Sequence, residues 1–415
     1  MKSAKRLVFL GCLCLAAASA CGKDALVNPL DVRKLDASLK PVVDQIVPAN
    51  NRFALELYRR LAAQPGNLFC SPQNISTAFA MTYAGAAGDT RAEMASVFHF
   101  PLAQDSIHAA FGAVLSSLDR GAALGGYELS LANRLWGQRG FPFLAPFLDI
   151  TGIHYRAELQ TLDFHAHPSE ARDTINTWVG EKTRGKIPEL MPRSAVTSDT
   201  RLVLTSAIYF KGQWQTKFDP NLTASGPFHV APGVDRMVPT MRGELACRTG
   251  HGPGVRLLEL PYKGLDLSMV ILLPDSVFGL AELESRLIAD DLDTWLATLS
   301  DRKLPVRLPR FTVESSFSLV ETLAAMGMPS AFQAFQADFS GMDGARDLFI
   351  AAAVHKAFVN VNEEGTEAAA ATGISIGVTS LPVDNFYVDH PFVFLIRDNV
   401  TGSLLFVGRI VEPPA

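Results

Sequence analysis

Residues Glu363 to Pro382, "EEGTEAAAATGISIGVTSLP", form the most informative segment of this sequence. It contains "GISIG", which matches the G-x-S-x-G pattern of a hydrolase nucleophile held at a sharp turn between a strand and a helix. That function needs a helix after Ser375 and an acid and a histidine further along the chain. Here β-branched residues and a proline follow instead, and the available partners are Asp384 and His390. The context disfavours an esterase that uses Ser375, and this function remains an alternative.

The same stretch has two different faces when it is given the two-residue period of a β-strand. One face is apolar or β-branched, and the other is small or polar. The first comprises Thr366, Ala368, Ala370, Thr372, Ile374 and Ile376, and the second Glu367, Ala369, Ala371, Gly373, Ser375 and Gly377. Small side chains would let such a strand enter between two packed strands, where a bulky or charged group could cost several kcal/mol.

The free energy available from such an insertion is large. About a dozen inserted residues, each gaining a hydrogen bond worth about 1 kcal/mol, would stabilise the molecule by on the order of 10 kcal/mol before ordering costs. The alternative for "EEGTEAAAAT" is an alanine-rich surface helix. The composition alone favours that helix, whereas the alternation predicts a segment with two conformations.

Composition excludes several classes of function. The 415 residues are 48% hydrophobic and include 26 Phe, which is ample for a large core. We find no repeat or compositional break, so one interwoven α+β domain is the simplest prediction. The net charge of -5, without a run of Lys and Arg, excludes nucleic acid as an expected partner.

The N-terminus has the pattern of an export signal. Lys2, Lys5 and Arg6 precede an apolar stretch, Leu7 to Ala20, and Cys21 follows directly. The junction resembles the lipobox of bacterial lipoproteins, although an alanine stands where leucine is more usual. We predict a signal peptide over residues 1–20, a lipidated Cys21 and a polar tether over residues 21–48. The protein would be exported and lipid-anchored in the bacterial cell envelope, periplasmic or at the cell surface, with simple secretion as the alternative.

The sequence predicts no metal site and no cofactor. No zinc, phosphate-loop or redox motif is present, "GHGPG" at residues 250–254 is typical of a surface turn, and His165 and His167 lack a ligand partner at useful spacing. Cys70 and Cys247 could form a disulfide in an oxidising compartment. Two cysteines in so long a chain favour two buried thiols instead.

Periodicity predicts several elements of secondary structure. Helical spacing and capping residues mark four helices, and short β-branched runs mark four strands, the last two joined by a turn. In the second helix Ser71 is the predicted N-cap and a proline takes the first helical position. The helices lie within residues 50–63, 71–85, 174–187 and 318–328, and the strands within 201–210, 265–274, 391–396 and 404–411.

Seven segments together resemble the serpin family of suicide-type serine protease inhibitors, in the family's order and over roughly Asn50 to the C-terminus. They are "NLFCSPQNISTAFAM", "INTWVGEKTRGKI", "SAIYFKGQWQTKF", "LELPYKG", "LPRFTVESSFSLVETLAAMGM", "HKAFVNVNEEGTEAAAAT" and "DHPFVFLIRDNVTGSLLFVGRIVEP". The resemblance implies an α+β serpin fold, with three β-sheets, about nine helices and an exposed reactive-centre loop at Glu363 to Pro382. A single serpin domain would span residues 49–415.

The resemblance also implies a mechanism without catalytic groups, so that the protein is an inhibitor and not an enzyme. A target serine protease would cleave the loop and become trapped as a covalent acyl-enzyme, and the loop would insert as a strand into the main sheet. The inhibitor is expected to be a monomer. The hinge of the loop would comprise Glu363, Glu364, Gly365, Thr366, Glu367, Ala368, Ala369, Ala370 and Ala371.

Five further residues are implied to control insertion. Trp214 and His355 resemble residues beneath the point where insertion begins, and Ser71 and Ser76 resemble the shutter at the middle of the sheet. At Ser206 many serpins carry an asparagine that hydrogen-bonds in the shutter. This departure puts the barrier to premature insertion in question.

The predicted scissile bond depends on how the loop is aligned. The spacing from Glu363 that is usual in inhibitors gives Thr379-Ser380, which is the prediction, and alignment back from "HPF" gives Ser380-Leu381 as the alternative. A small uncharged residue before the cut favours an elastase-like or subtilisin-like target over a trypsin-like one. The alternatives are a cysteine protease as the target, or a non-inhibitory serpin that is merely cleaved or carries a ligand.

Overall fold

The computed structural model describes residues 35–366 and 384–414, and it contains ten α-helices within these ranges. The four predicted helices are present, and the largest boundary shift is ten residues, at the start of the first. In chain order the helices are α1 (Lys40–Leu61), α2 (Pro72–Tyr83), α3 (Gly88–Val97), α4 (Gln104–Ala123), α5 (Ala145–Tyr155), α6 (Pro168–Lys182), α7 (Leu280–Arg286), α8 (Ala289–Leu296), α9 (Leu319–Met326) and α10 (Ser340–Asp343).

Fifteen strands complete the described regular structure, with two short 3₁₀ turns at Pro220–Leu222 and Ser330–Phe332. The strands are β1 (Leu68–Cys70), β2 (Tyr127–Gln138), β3 (Gln160–Leu162), β4 (Leu202–Gln213), β5 (Ala224–Ala231), β6 (Val234–Gly252), β7 (Val255–Pro261), β8 (Leu267–Pro274), β9 (Ser300–Pro309), β10 (Phe311–Ser318), β11 (Ala352–Asn362), β12 (Gly365–Thr366), β13 (Phe386–Tyr387), β14 (Phe392–Asp398) and β15 (Leu404–Ile410).

The strands of the described residues form two hydrogen-bonded sheets, which confirms the α+β class. One has six strands in the order β10-β11-β12-β4-β2-β3. The other has nine strands, and its two halves are joined through β6, whose first part pairs with β5 and whose end pairs with β7. The predicted third sheet is therefore continuous with the second through this long strand.

Helix α1 begins ten residues earlier than the sequence predicted. The prediction started at Asn50, but the helix extends back to Lys40 and contains Pro48. Val43, Ile46 and Val47 are buried on its inner side. The predicted polar tether to residue 48 is therefore wrong from Lys40 onward, since burial of these apolar groups stabilises the helix despite the internal proline.

Helix α2 begins where the sequence predicted. The Ser71 side chain accepts a hydrogen bond from the Asn74 backbone N–H at 3.3 Å, and Pro72 takes the first helical position. Every residue of this helix is buried. Such a helix needs apolar and small polar residues all round, and its polar groups must find partners within the protein.

The C-terminal hairpin is buried in the larger sheet, as predicted. β14 pairs antiparallel with both β15 and β8, and all seven residues of β15 are buried.

Cys70 and Cys247 are both buried free thiols, so the possible disulfide between them is absent. Desolvation raises the pKa of the Cys70 thiol to about 12 and that of Cys247 to about 11. Within the described ranges no helix is long and apolar enough to span a bilayer.

Candidate functional site

The candidate site lies in the six-stranded sheet, where two neighbouring strands separate at one end. β4 and β11 pair directly and in parallel from Val203–Ala352 to Tyr209–Phe358. Beyond these pairs the two-residue strand β12 lies between them. Thr366 of β12 pairs with Gly212 of β4 on one side and with Val361 of β11 on the other. The start of the predicted hinge therefore already occupies a strand position between β4 and β11.

Gly365 fits this position because it has no side chain. Its φ is +150°, which L-residues with a Cβ rarely adopt. A Cβ at this residue would lie 2.0 Å from the Gly212 carbonyl oxygen and 2.7 Å from the Gln213 Cα. Both contacts are with backbone, which cannot move aside as a flexible side chain would.

Thr366 faces the core, as the alternation predicted for the first residue of the apolar face. Its side chain is fully buried, and its hydroxyl lies 2.7 Å from the Tyr262 hydroxyl. The Tyr262 ring stacks on Trp214 with 4.8 Å between ring centroids. Burial raises the pKa of Tyr262 well above its usual value, so the phenol stays neutral and can donate a hydrogen bond.

The two glutamates before β12 are anchored by charged and backbone partners. Glu363 forms a salt bridge with Arg310, whose Nε lies 2.6 Å from the carboxylate, and it also accepts from Thr223. Glu364 pairs with Lys217. Both glutamate side chains are nearly buried, whereas Arg310 and Lys217 are more than 40% exposed. The turn that leads into the loop is therefore fixed to two neighbouring segments of chain.

Trp214 holds the same turn through its backbone and its ring. Its backbone N–H donates to the Glu364 carbonyl at 2.9 Å, and its indole N–H donates to the Asn362 carbonyl at 2.9 Å. The structure therefore places Trp214 directly beside the start of β12.

Ser71, Asn74, Ser206 and His355 form a second group, the shutter cluster, where β4 and β11 still pair directly. Ser71 Oγ donates to the Leu405 carbonyl at 2.6 Å, and Asn74 Nδ2 donates to Ser206 Oγ at 3.0 Å. Ser206 Oγ lies 3.1 Å from His355 Nδ1. This last contact joins β4 to β11 through side chains, in addition to their backbone pairing.

The hydrogen bonds of His355 define its tautomer. The Ser71 backbone N–H donates to Nε2 at 3.0 Å, so Nε2 is the acceptor and Nδ1 carries the proton that is donated to Ser206. Complete burial lowers the pKa of His355 to about 3, because a charged imidazole would be desolvated here. A second proton on Nε2 would also face the Ser71 N–H.

The predicted position of His355 was wrong. It does not lie beneath the start of insertion with Trp214, and instead belongs to the shutter cluster with Ser71 and Ser206. Ser206 does contact His355 across the two strands despite its shorter side chain, and the Asn74 amide donates to the same hydroxyl. Ser76 is buried on α2, and its hydroxyl has no hydrogen-bond partner among the described residues.

Three residues of the site were missed in the sequence. Asn74, Tyr262 and Arg310 are distant from one another and from the loop in the chain, and each contacts a predicted site residue. Only Asn74 carried a local signal, since it lies three residues after the predicted N-cap.

Several predicted residues lie outside the described part of the chain. They are the hinge residues Glu367 to Ala371, both candidate scissile bonds at Thr379, Ser380 and Leu381, the candidate nucleophile Ser375, and Cys21.

The candidate base His390 is described, and its ring nitrogens contact Asp389 at 2.7 Å and the Pro274 carbonyl at 2.9 Å. Both nitrogens are thus engaged, which argues against the esterase. Among the described residues no cluster of His, Cys, Asp and Glu could hold a metal ion.

A family model described as "Serpin (serine protease inhibitor)" matches residues 48–413. The chain belongs to the serpin family. Its α+β architecture is the serpin fold, and the family's description and its relatives' names are those of protease inhibitors rather than enzymes. Relatives of this serpin include leukocyte elastase inhibitors from Sus scrofa, 44% identical over 382 residues, and from Homo sapiens, 43% identical over 383 residues. Each alignment covers 89% of this chain and the whole of the relative.

Solved structures show the same fold. Uncleaved ovalbumin is 33% identical to this serpin, with a TM-score of 0.78 over 89% of this chain and 100% of ovalbumin. Maspin is 28% identical, with a TM-score of 0.82 over 90% of this chain and 100% of maspin.

Proposed function

We propose that this serpin traps a serine protease by inserting its cleaved reactive-centre loop between β4 and β11. The observation that carries the proposal is the position of β12. Its two residues are already paired with both neighbouring strands, and the chain that follows Thr366 is the alanine-rich segment. Further insertion would continue this strand between β4 and β11, which pair directly below it.

The proposed insertion has an identifiable barrier. Adjacent strands in a sheet lie about 4.8 Å apart, so a strand between β4 and β11 would separate them to roughly twice that distance. The 3.1 Å contact from Ser206 to His355 and the direct pairing of the two strands would both be lost. Cleavage frees the loop to form two new ladders, which outweigh the one that is broken.

We propose an elastase-like or subtilisin-like protease as the target. The relatives named leukocyte elastase inhibitor support an elastase-like protease. The small, uncharged residues around Thr379-Ser380 and Ser380-Leu381 support the same class, since a small S1 pocket accepts them. The proposed partner forms a covalent complex with a monomeric inhibitor.

Incubation with neutrophil elastase, subtilisin and papain, followed by denaturing electrophoresis, tests this function. We expect a covalent complex with elastase or subtilisin, and mass spectrometry of the released peptide identifies the bond that was cut. A complex with papain alone would make the target a cysteine protease. Cleavage without any complex would identify a non-inhibitory serpin.

A substitution at the start of β12 separates trapping from cleavage. Thr366→Arg places a long cation where the side chain is fully buried beside Tyr262, and burying an unpaired charge is costly. The variant should still be cut by the protease but should form at least tenfold less complex. Ala325→Arg, at an exposed position on α9, is the control. Normal trapping by Thr366→Arg would contradict insertion at this site.

We further propose that the protein is exported and held in a bacterial cell envelope through lipid on Cys21, with residues 1–20 as the signal peptide. The basic start, the apolar stretch and the small residues before Cys21 support this. Labelling with a radioactive fatty acid tests it, because Cys21→Ser should abolish incorporation. Equal labelling of both proteins would contradict lipidation.

A further inference from the structure

Two arginines lie directly opposite each other on the outer face of the larger sheet. Arg242 of β6 and Arg307 of β9 are partners in the antiparallel register of these strands. The adjacent partners Met241 and Leu308 are buried, so the two arginines point away from the core. Like charges directly opposite each other in a sheet repel. An anion between the two guanidiniums would remove this repulsion.

Neither arginine has a carboxylate partner within the described ranges of the chain. The nearest acidic residue on the same face of β6 is Glu244, which pairs with Lys303 at 3.7 Å instead. Arg242 donates a long hydrogen bond, 3.4 Å, to the Ser225 carbonyl. Its Nε is buried and has no acceptor in the part of the chain that the structure describes. The arginine pair therefore has donors and charge available for an external anion.

Arg307 is held in place by an aromatic ring. β13 pairs in parallel with β9, and Tyr387 is the register partner of Arg307. The guanidinium carbon lies 4.1 Å from the centroid of the Tyr387 ring. A guanidinium that lies flat on a ring keeps its N–H donors at its edge, where they can bind a carboxylate through two parallel hydrogen bonds.

The arginine pair lies beside the C-terminal end of the reactive-centre loop. Tyr387 follows the candidate cleavage residue Thr379 by eight positions. A fully extended chain advances at most about 3.6 Å per residue, so Tyr387 is within roughly 30 Å of the bond that is cut. A small protein domain is itself about 30 Å across. The surface of a protease that holds this bond in its cleft can therefore reach Arg242 and Arg307.

We propose that Arg242 and Arg307 form a docking site for carboxylates on the target protease, beside the part of its cleft that holds the residues after the scissile bond. This inference rests on the proposed inhibitory function and adds a determinant of target choice that lies outside the loop. The chain as a whole carries a net charge of -5, so attraction of an acidic surface depends on this local pair. Charges at the edge of an interface act mainly on the association rate and on its salt dependence.

The rate at which the loop is cut tests the docking site. The second-order rate constant for loss of intact chain is measured with subtilisin and with neutrophil elastase. At about 0.02 M NaCl, the double variant Arg242→Gln/Arg307→Gln should react about tenfold more slowly than the wild type with the faster of the two proteases. At about 0.5 M NaCl the difference should fall below about twofold, because the screening length shrinks from roughly 20 Å to about 4 Å.

Three further variants separate charge from structure. Arg302→Gln is the matched control, because Arg302 is exposed on the same strand but lies five residues from Arg307 and so on the opposite face. Its rate constant should equal that of the wild type. Arg307→Lys keeps the charge and should retain most of the rate, even though its contact with Tyr387 is altered. Arg307→Gln alone remains informative if the double variant folds poorly, since Arg307 is exposed.

The rate of cutting is defined whether the cut chain traps the protease or is released. Absence of a covalent complex would therefore contradict the proposed function and leave the docking test valid. Equal rate constants for the double variant and the wild type with both proteases, or a difference that persists at high salt, would overturn the docking site. Acceleration by heparin in the wild type alone, with equal rates in its absence, would assign the pair to a soluble polyanion and also overturn it.

Discussion

Gly365 shows how a missing Cβ lets a residue lie in the narrow strand position between β4 and β11. Its φ of +150° and the 2.0 Å approach of a hypothetical Cβ to the Gly212 carbonyl leave no room for any other residue. The sequence indicated a flexible glycine in the hinge. The close approach to β4 is a tertiary contact, and no local pattern could predict it.

Gly365→Ala should lower the free energy of unfolding by about 2 kcal/mol or more, because the strained φ adds to a backbone clash. Chemical denaturation measures this loss. Gly140→Ala is the control, since Gly140 has a φ of +88° but open space around its Cβ position, and it should cost about 1 kcal/mol. Equal losses in the two variants would mean that the clash is relieved at no cost.

His355 makes the stability of the native protein depend on pH. Its folded-state pKa of about 3 lies below the ordinary value of 6.5, so the unfolded chain binds more protons between these values. The stability contributed by the neutral imidazole is complete above about pH 6.5 and is lost as the pH falls toward 3. The slope from one such group approaches about 1.4 kcal/mol per pH unit.

The free energy of unfolding, measured from pH 8 to pH 4, should fall less steeply with acid in His355→Gln than in the wild type. His108 contributes a similar slope, because burial lowers its pKa to about 4, so the difference between variants isolates His355. His165→Gln, which changes an exposed histidine, should leave the slope unchanged. Parallel curves for His355→Gln and the wild type would show that His355 does not titrate in this range.

At the scale of elements, β10 and the end of β11 are connected to the hinge by the Arg310–Glu363 salt bridge. Glu363 is nearly buried and Arg310 is partly exposed, so the pair is screened less than a surface ion pair. Loss of the carboxylate charge would leave the Arg310 guanidinium and the Thr223 hydroxyl with a weaker acceptor.

Glu363→Gln should lower the free energy of unfolding by about 1–2 kcal/mol, as expected for a charged hydrogen bond that is partly protected from water. Urea denaturation of the uncleaved protein measures this. The exposed pair Arg236–Glu412 is the matched control, and Glu412→Gln should change stability by less than about 0.5 kcal/mol. A loss in Glu363→Gln no larger than in Glu412→Gln would show that the bridge does not hold the hinge.

Elements with strong local periodicity were predicted well. Helix α2 and strands β4, β8, β14 and β15 agree with the sequence, because caps and β-branched runs act locally. The start of α1 was missed because residues 40–48 are mixed in polarity and include two prolines, and only packing of Val43 and Ile46 against the core favours a helix there.

At the level of the whole molecule, the six-stranded sheet can gain a further strand between β4 and β11. Seven residue pairs join β4 to β11 in parallel. An inserted strand would replace this one ladder by two antiparallel ladders, and antiparallel pairing is slightly more stable per residue. The uncleaved molecule is therefore expected to be less stable than its cleaved form.

Limited cleavage after Thr379 or Ser380 should consequently raise the thermal midpoint instead of lowering it. About a dozen additional hydrogen-bonded residues correspond to on the order of 10 kcal/mol and to a rise on the order of 10 °C. Differential scanning calorimetry before and after cleavage measures the change. The Thr366→Arg variant, cleaved in the same way, should show no comparable rise, and a lower midpoint in the cleaved wild type would contradict insertion.

The α+β class, the capped helices, the buried hairpin and the alternation that makes the loop a potential strand all follow from the amino-acid sequence. These properties depend on neighbours in the chain, since periodicity, caps and turns are local. The folded structure was needed to show that His355 joins Ser71 and Ser206, that Arg310 holds Glu363, and that Gly365 already lies against β4. Each of these contacts joins residues far apart in the chain, and their free energy comes from burial and hydrogen bonding that exist only once the two sheets have packed.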